Sequence, residues 1–198
     1  MPNEKLILWG MGGHSLVVAD IVRAMGGLEI IGYIVGGAEQ LESFNPNNKL
    51  ILAFGDCDTR LRLGILARES GLVLATAIHP AATIAPDAEI GTGTVIAAGA
   101  VVNPGAKIGR DVIINTCASV DHECVVGDGA HICPGVHLAG RVRVGRGTQI
   151  GIGATVIEHI SVGEGSLIGA GAVVVREIPD NAVAYGVPAR VERMRNAA

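Results

Sequence analysis

The sequence predicts a small Rossmann-like α/β domain over residues 1–77, followed over residues 78–198 by a parallel β-helix of hexapeptide repeats. Three observations predict it. Seventeen aliphatic residues stand six apart without interruption, from Ile78, Ile84 and Ile90 to Val162, Ile168 and Val174. A period of six would carry apolar positions around the whole surface of a helix, whereas short strands separated by turns can point every sixth side chain inward. Hydrophobic residues make up 49% of the chain but aromatics only 3%, which suits a narrow prism of Ile, Val and Ala. The 29 glycines supply residues free to adopt positive φ at tight corners.

Taken in order, Lys5–Trp9 reads as a strand, and Gly10-Met11-Gly12-Gly13-His14-Ser15 follows it. Leu16–Met25 has apolar residues at helical spacing and ends at Gly26-Gly27; Ile30–Val35 and Leu50–Phe54 read as strands; Cys57–Ser70 reads as a helix ended by Gly71. Strands alternating with helices predict a parallel sheet. The glycine turn lies between the first strand and the first helix, where helix N–H groups collect phosphate oxygens. It is not the dinucleotide fingerprint, because Ser15 stands where the third glycine is required. Two readings stay open: glycines that only make a tight turn, or a phosphate-bearing ligand with His14 pointing into the same mouth.

In the repeats, a second and mostly small residue follows four positions after the aliphatic one, as at Ala88, Ala100, Ala106, Ala118, Cys124 and Ala130. Three hexapeptides form one coil, so residues eighteen apart stack in a column, and Ile78 to Ile178 spans roughly five and a half coils. One stretch departs from the usual Gly, Asp, Thr and Arg at exposed positions. Ile114–Gly140 holds His122, His131 and His137 together with Cys117, Cys124 and Cys133. Metal binding needs ligands that converge, but steps of nine and six residues send the three histidines to different faces of one chain. The cysteines lack C-x-x-C spacing and read as packing residues. A three-histidine metal site across a subunit boundary stays open as a remote alternative, and no metal is expected.

A base is the better reading for His122. Asp121-His122-Glu123 sets a neutral imidazole between carboxylates that can orient it and stabilise the imidazolium. Gly140, eighteen residues on, stacks beside it and offers a backbone N–H to a developing oxyanion. The plain alternative is a solvated histidine on a β-helix face. Net charge is −4, with −2 on each side of residue 78, so neither part resembles a polyanion-binding surface. Four cysteines and an opening MPNEKLILWG without a signal peptide predict a cytoplasmic protein with reduced thiols, and no apolar run approaches a membrane span.

These motifs resemble a known family. The hexapeptides closing in Val162-Gly-Glu-Gly-Ser-Leu-Ile168, then Ile178-Pro-Asp-Asn-Ala-Val and Gly186-Val-Pro-Ala-Arg190, are similar to the left-handed β-helix acyltransferases. With the N-terminal Gly-x-Gly-Gly-His turn, the whole chain resembles the sugar acetyltransferases of the PglD and NeuD type. The resemblance implies a left-handed helix, a homotrimer with cofactor sites between subunits, and acetyl-CoA as cosubstrate. It implies His122 as general base supported by Glu123. Cofactor contacts fall at His131, Gly140, Ile152, Ala170, Pro188 and Arg190, and a nucleotide-sugar at Gly12, Gly13, His14 and Gly55. A single wall would leave His131 open unless another chain covered it.

The leading expectation is N-acetylation of a UDP-linked amino sugar by direct attack on the thioester. O-acetylation of a sialic acid-type sugar is the enzymatic rival; a zinc-dependent carbonic anhydrase-like protein and a non-catalytic scaffold trimer are remoter. One departure concerns the nucleotide: Val35-Gly36-Gly37-Ala38 stands where the family reads uracil with acidic residues, and Glu39–Asn48 is shortened.

Overall fold

The computed structural model describes residues 4–37, 39–40 and 45–195. Ala38 and part of the Glu39–Asn48 segment therefore lie outside the described residues. The N-terminal part is a three-stranded parallel sheet of β1 (Glu4–Trp9), β2 (Leu28–Ile34) and β3 (Lys49–Leu52), in the order β2-β1-β3. Alternation along β1 divides its side chains between two faces. Leu6 and Leu8 pack with Val18 and Val22 of helix α1 (Gly13–Met25), while Trp9 packs with Leu63 and Ala67 of helix α2 (Cys57–Glu69). Helix α1 starts earlier than its apolar periodicity suggests, because extended Gly12 is its N-cap and Gly13 and His14 form its first turn. Helix α2 is capped by Asp56, whose side chain accepts from Thr59 N–H at 2.8 Å.

From β4 (Ala77–Ile78) to β20 (Val173–Val174) the chain makes seventeen strands of two residues each. Each aliphatic residue of the six-period is the second residue of its strand, pointing into the prism, and most have under 5% of their surface exposed. Strands eighteen residues apart pair in parallel, as in Ile114↔Ile132, Val120↔Leu138 and Val126↔Val144. This gives three walls. The first contains β4, β7 (Val95–Ile96), β10 (Ile113–Ile114), β13 (His131–Ile132), β16 (Gln149–Ile150) and β19 (Leu167–Ile168). The second wall runs from β5 (Thr83–Ile84) to β20 through β11 (Ser119–Val120) and β14 (His137–Leu138), and the third from β6 (Glu89–Ile90) to β18 (Ser161–Val162). At the C-terminal end β21 (Ala182–Gly186) pairs with β19 and folds back as β22 (Ala189–Met194), extending the first wall.

The first wall also carries the N-terminal sheet. Ala77, Val95 and Ile113 are first residues of their strands, so they point outward, yet they are buried in the cluster that holds Leu6, Leu8 and Val22. Burying a Val or Ile side chain such as Val95 or Ile113 is worth about 1.5–3 kcal/mol. Arg68 of α2 adds a two-pronged ion pair to Asp111, at 2.7 and 2.8 Å. Among the described residues no helix is long and apolar enough to cross a membrane.

Candidate active site

A left-handed backbone recurs with the same period of six, from Gly93 to Gly171. Glycine takes most of these positions, since the conformation costs other residues roughly 1–2 kcal/mol. At the corner between the second and third walls glycine gives way to Glu123 (φ 56°), Arg141 (φ 61°) and His159 (φ 62°), stacked in one column. Within the repeats Asp111 (φ 56°) and Cys117 (φ 55°) do the same singly at the other two corners, but only here do three such side chains stack in one column among the described residues.

His122 sits in this corner, just after β11, and is half-exposed. Its backbone N–H donates to Asp121 Oδ1 at 2.7 Å, and Asn103 Nδ2 holds the same oxygen at 3.0 Å. The ring Nδ1 lies 3.2 Å from Glu123 Oε2. A carboxylate only accepts, so Nδ1 carries the proton and Nε2 presents its lone pair. Arg141 Nε donates to the same Glu123 oxygen at 2.8 Å. Bonds from His122 and then Arg141 hold the Glu123 carboxyl below its ordinary range, so it stays charged beside the imidazole. Gly140 stacks on the ring as the spacing requires. A Cβ there would lie 2.6 Å from His122 Cε1 and closer still to Nε2. Among the described residues nothing accepts from Gly140 N–H. The imidazole and an unengaged backbone donor therefore stand side by side.

A second constellation forms on the first wall. His14, in the first turn of α1, has its ring centroid 6.2 Å from that of His131. His131 Nδ1 donates to the Gly55 carbonyl at 3.1 Å, and its Nε2 accepts from Asn115 Nδ2 at 3.1 Å. Asn115 Oδ1 in turn accepts from Thr116 N–H at 2.8 Å, which fixes the amide orientation. Gly12, Gly13 and Gly55 leave open space where a Cβ would stand. Burial and then the Arg60 charge depress both imidazoles to a pKa of about 4, so each is neutral at pH 7.

Here the structure departs from one expectation. His131 is 9% exposed, covered by its own N-terminal domain and not left open for another chain to cover. It follows Ala77, Val95 and Ile113 in the column of outward residues beneath the N-terminal sheet, and three apolar members of that column signal the cover. Gly36 and Gly37 hold a second surprise. Glu39 folds back so that its carboxylate accepts from Gly37 N–H at 2.7 Å, placing an acid beside a turn that reads as lacking one.

The remaining sites are spread out. Ile152, 59% exposed, and Ala170 stack at the corner between the first and second walls, with exposed Pro188 and Arg190 in the closing hairpin above the first wall. His122 and Gly140 occupy the far edge of the second wall. One chain therefore brings together His122 with Glu123 and Gly140, and separately His14 with Gly55 and His131, but does not join the two groups. His131 and His137 lie on different walls, and among the described residues no three metal-ligating side chains converge. Sequence reasoning passed over Arg60 and Asn115, which hold the second group together.

The chain thus joins a hexapeptide solenoid to a small α/β domain whose glycine turn opens a helix. Residues 5–35 match the PglD N-terminal domain, and residues 141–176 match the bacterial transferase hexapeptide family of six repeats. The chain is similar to the acetyltransferase domain of PglB from Neisseria gonorrhoeae FA1090, with 38% identity and a TM-score of 0.92 over 96% of this chain and 100% of that one. That domain is also known in complex with acetyl coenzyme A. PerB from Caulobacter crescentus, solved with CoA and GDP-perosamine, is 36% identical, with a TM-score of 0.86 over 96% of this chain and 97% of that one. WeeI from Acinetobacter baumannii AYE, at 21% identity and a TM-score of 0.69, covers 96% of this chain and shares the fold. The chain belongs to the PglD/NeuD-type left-handed β-helix acetyltransferases. It is an enzyme of the hexapeptide-repeat transferase class.

Proposed function

We propose that the chain moves the acetyl group of acetyl-CoA to the amino group of a sugar carried on a nucleoside diphosphate, with His122 as general base. The observation that carries this reading is the approach of His122 Nε2 to Gly140, where an added Cβ would displace the ring. The neutral amine attacks the thioester carbonyl carbon while Nε2 takes an amine proton. Gly140 N–H donates to the oxyanion that forms, and Glu123 stabilises the imidazolium. Collapse breaks the carbon–sulfur bond, and the thiolate leaves with the proton held by His122. Atoms balance without a covalent enzyme intermediate.

The two separated groups of residues support assembly as a homotrimer. Ile152, Ala170, Pro188 and Arg190 of one chain would complete the cofactor path at the His122 corner of the next. His131, with both nitrogens engaged, would serve that site by holding Asn115. The domain of residues 1–77 would present the acceptor, its diphosphate on the N–H groups of Gly12, Gly13 and His14. UDP and GDP are the nucleotides to test. The resemblance suggests UDP, and the GDP-perosamine complex of PerB supports GDP.

Titration calorimetry with UDP, GDP, CMP-sialic acid and free sialic acid tests the acceptor. Binding of a nucleoside diphosphate supports the proposal, and binding of free sialic acid alone moves the protein to the O-acetylating branch. Product stability to hydroxylamine separates an amide from an ester.

A further inference from the structure

The strongest unexplained feature is a buried cation. Arg60 of α2 is 0% exposed, and among the described residues no carboxylate lies within ion-pair distance of it. Its nitrogens donate to backbone carbonyls instead. Nε reaches Asp111 O at 2.7 Å, Nη1 reaches Phe54 O and Gly55 O at 2.8 and 3.1 Å, and Nη2 reaches Gly129 O at 2.7 Å. Asp111's own carboxylate is taken by Arg68. Burying a guanidinium among backbone dipoles is costly, and an acid that feels its charge is the Asp56 carboxyl at the N-cap of α2, which makes no direct ion pair with it.

Two observations place that charge behind the mouth at His14 and His131. The Gly55 carbonyl that accepts from Arg60 also accepts from His131 Nδ1, so the arginine and the histidine share one oxygen. His14 Nε2, in the same mouth, is buried without a hydrogen-bond partner.

We propose that Arg60 is a positioning residue of the acceptor mouth, fixing Gly55 and through it His131 with its proton on Nδ1, and supplying from behind the positive charge that selects a diphosphate. The chain of contacts sets every role. Arg60 pins the carbonyl, the carbonyl takes the Nδ1 proton, and Nε2 is left as the acceptor for Asn115. The guanidinium never touches the ligand. Its charge acts through a dry interior, where screening by salt is weak. The anion-selecting half rests on the nucleotide reading above; the tautomer half does not.

The test begins with the unliganded protein labelled with 15N at histidine. His131 is expected as the Nδ1–H tautomer at pH 7, and an Nε2–H ring overturns the proposal whatever the acceptor proves to be. Arg60→Met should weaken UDP or GDP binding tenfold or more and shift His131 toward a mixed tautomer. Arg60→Lys should restore part of the nucleotide affinity but not the single tautomer. Arg68→Ala, which loosens the same domain contact without touching Gly55, should lower Tm and leave nucleotide affinity unchanged. Equal losses of affinity in Arg60→Met and Arg68→Ala would reduce Arg60 to a structural latch and refute the positioning role. Should Arg60→Met fail to fold, the wild-type tautomer and the lysine variant still decide.

Discussion

Gly140→Ala is the most informative single substitution, because its cost follows from one distance. The added methyl would lie 2.6 Å from His122 Cε1, while carbon atoms rest at about 3.5–4.0 Å. One side must therefore give by about 1 Å. Gly140 is not among the left-handed positions, so its backbone accepts alanine without strain. The imidazole is half-exposed and gives way into solvent. Stability should change by less than about 1 kcal/mol, a Tm shift of about 2–4 °C. Catalysis should suffer far more, since displacing a reacting group by about 1 Å costs on the order of a hundredfold. Steady-state release of free CoA, followed with a thiol reagent, should show kcat reduced about a hundredfold with the KM for acetyl-CoA nearly constant. Wild-type kcat in a folded variant would refute the placement of the base above Gly140.

Other expectations follow from the same geometry. Glu123→Gln removes the charge that stabilises the imidazolium but keeps an acceptor for Nδ1, so kcat should fall about tenfold without loss of fold, as rates and circular dichroism will show. The two depressed histidines should make the protein acid-sensitive. Both have folded pKa values near 4, below the 6.5 of an unfolded histidine, so between those values the unfolded chain binds the extra protons and stability falls with pH. The loss should reach about 2 kcal/mol per histidine by pH 5, measurable by urea denaturation, and His131→Asn should flatten part of the slope. Flat stability from pH 7 to 5 would contradict the burial of both rings. Light scattering should give a trimer, and full activity from a monomer would contradict a site shared between chains.

The β-helix was legible because a period of six has few structural meanings, and each aliphatic residue it picked out is the inward residue of a two-residue strand. The stacking of Gly140 on His122 follows from the same eighteen-residue coil, so that part of the site could be located by counting. The mouth on the first wall could not. His131 reads as exposed from its place at the start of a strand, and only the docking of a distant sheet buries it. Arg60 occupies a helix with many charges, where an arginine ordinarily faces water. That it points inward depends on the carbonyls of Asp111 and Gly129, which approach from turns of a different domain, and no local pattern encodes that meeting. Glu39 illustrates the same limit over a short distance, since its return to Gly37 depends on turn geometry and not on residue order.

The most direct test of the account is acetyl transfer from acetyl-CoA to UDP- and GDP-linked amino sugars by the purified protein and by His122→Ala. The wild-type protein should form the N-acetylated product with at least one of them. The variant, with unchanged fold and assembly, should lose a hundredfold or more in kcat. Turnover by His122→Ala close to wild type would contradict the account.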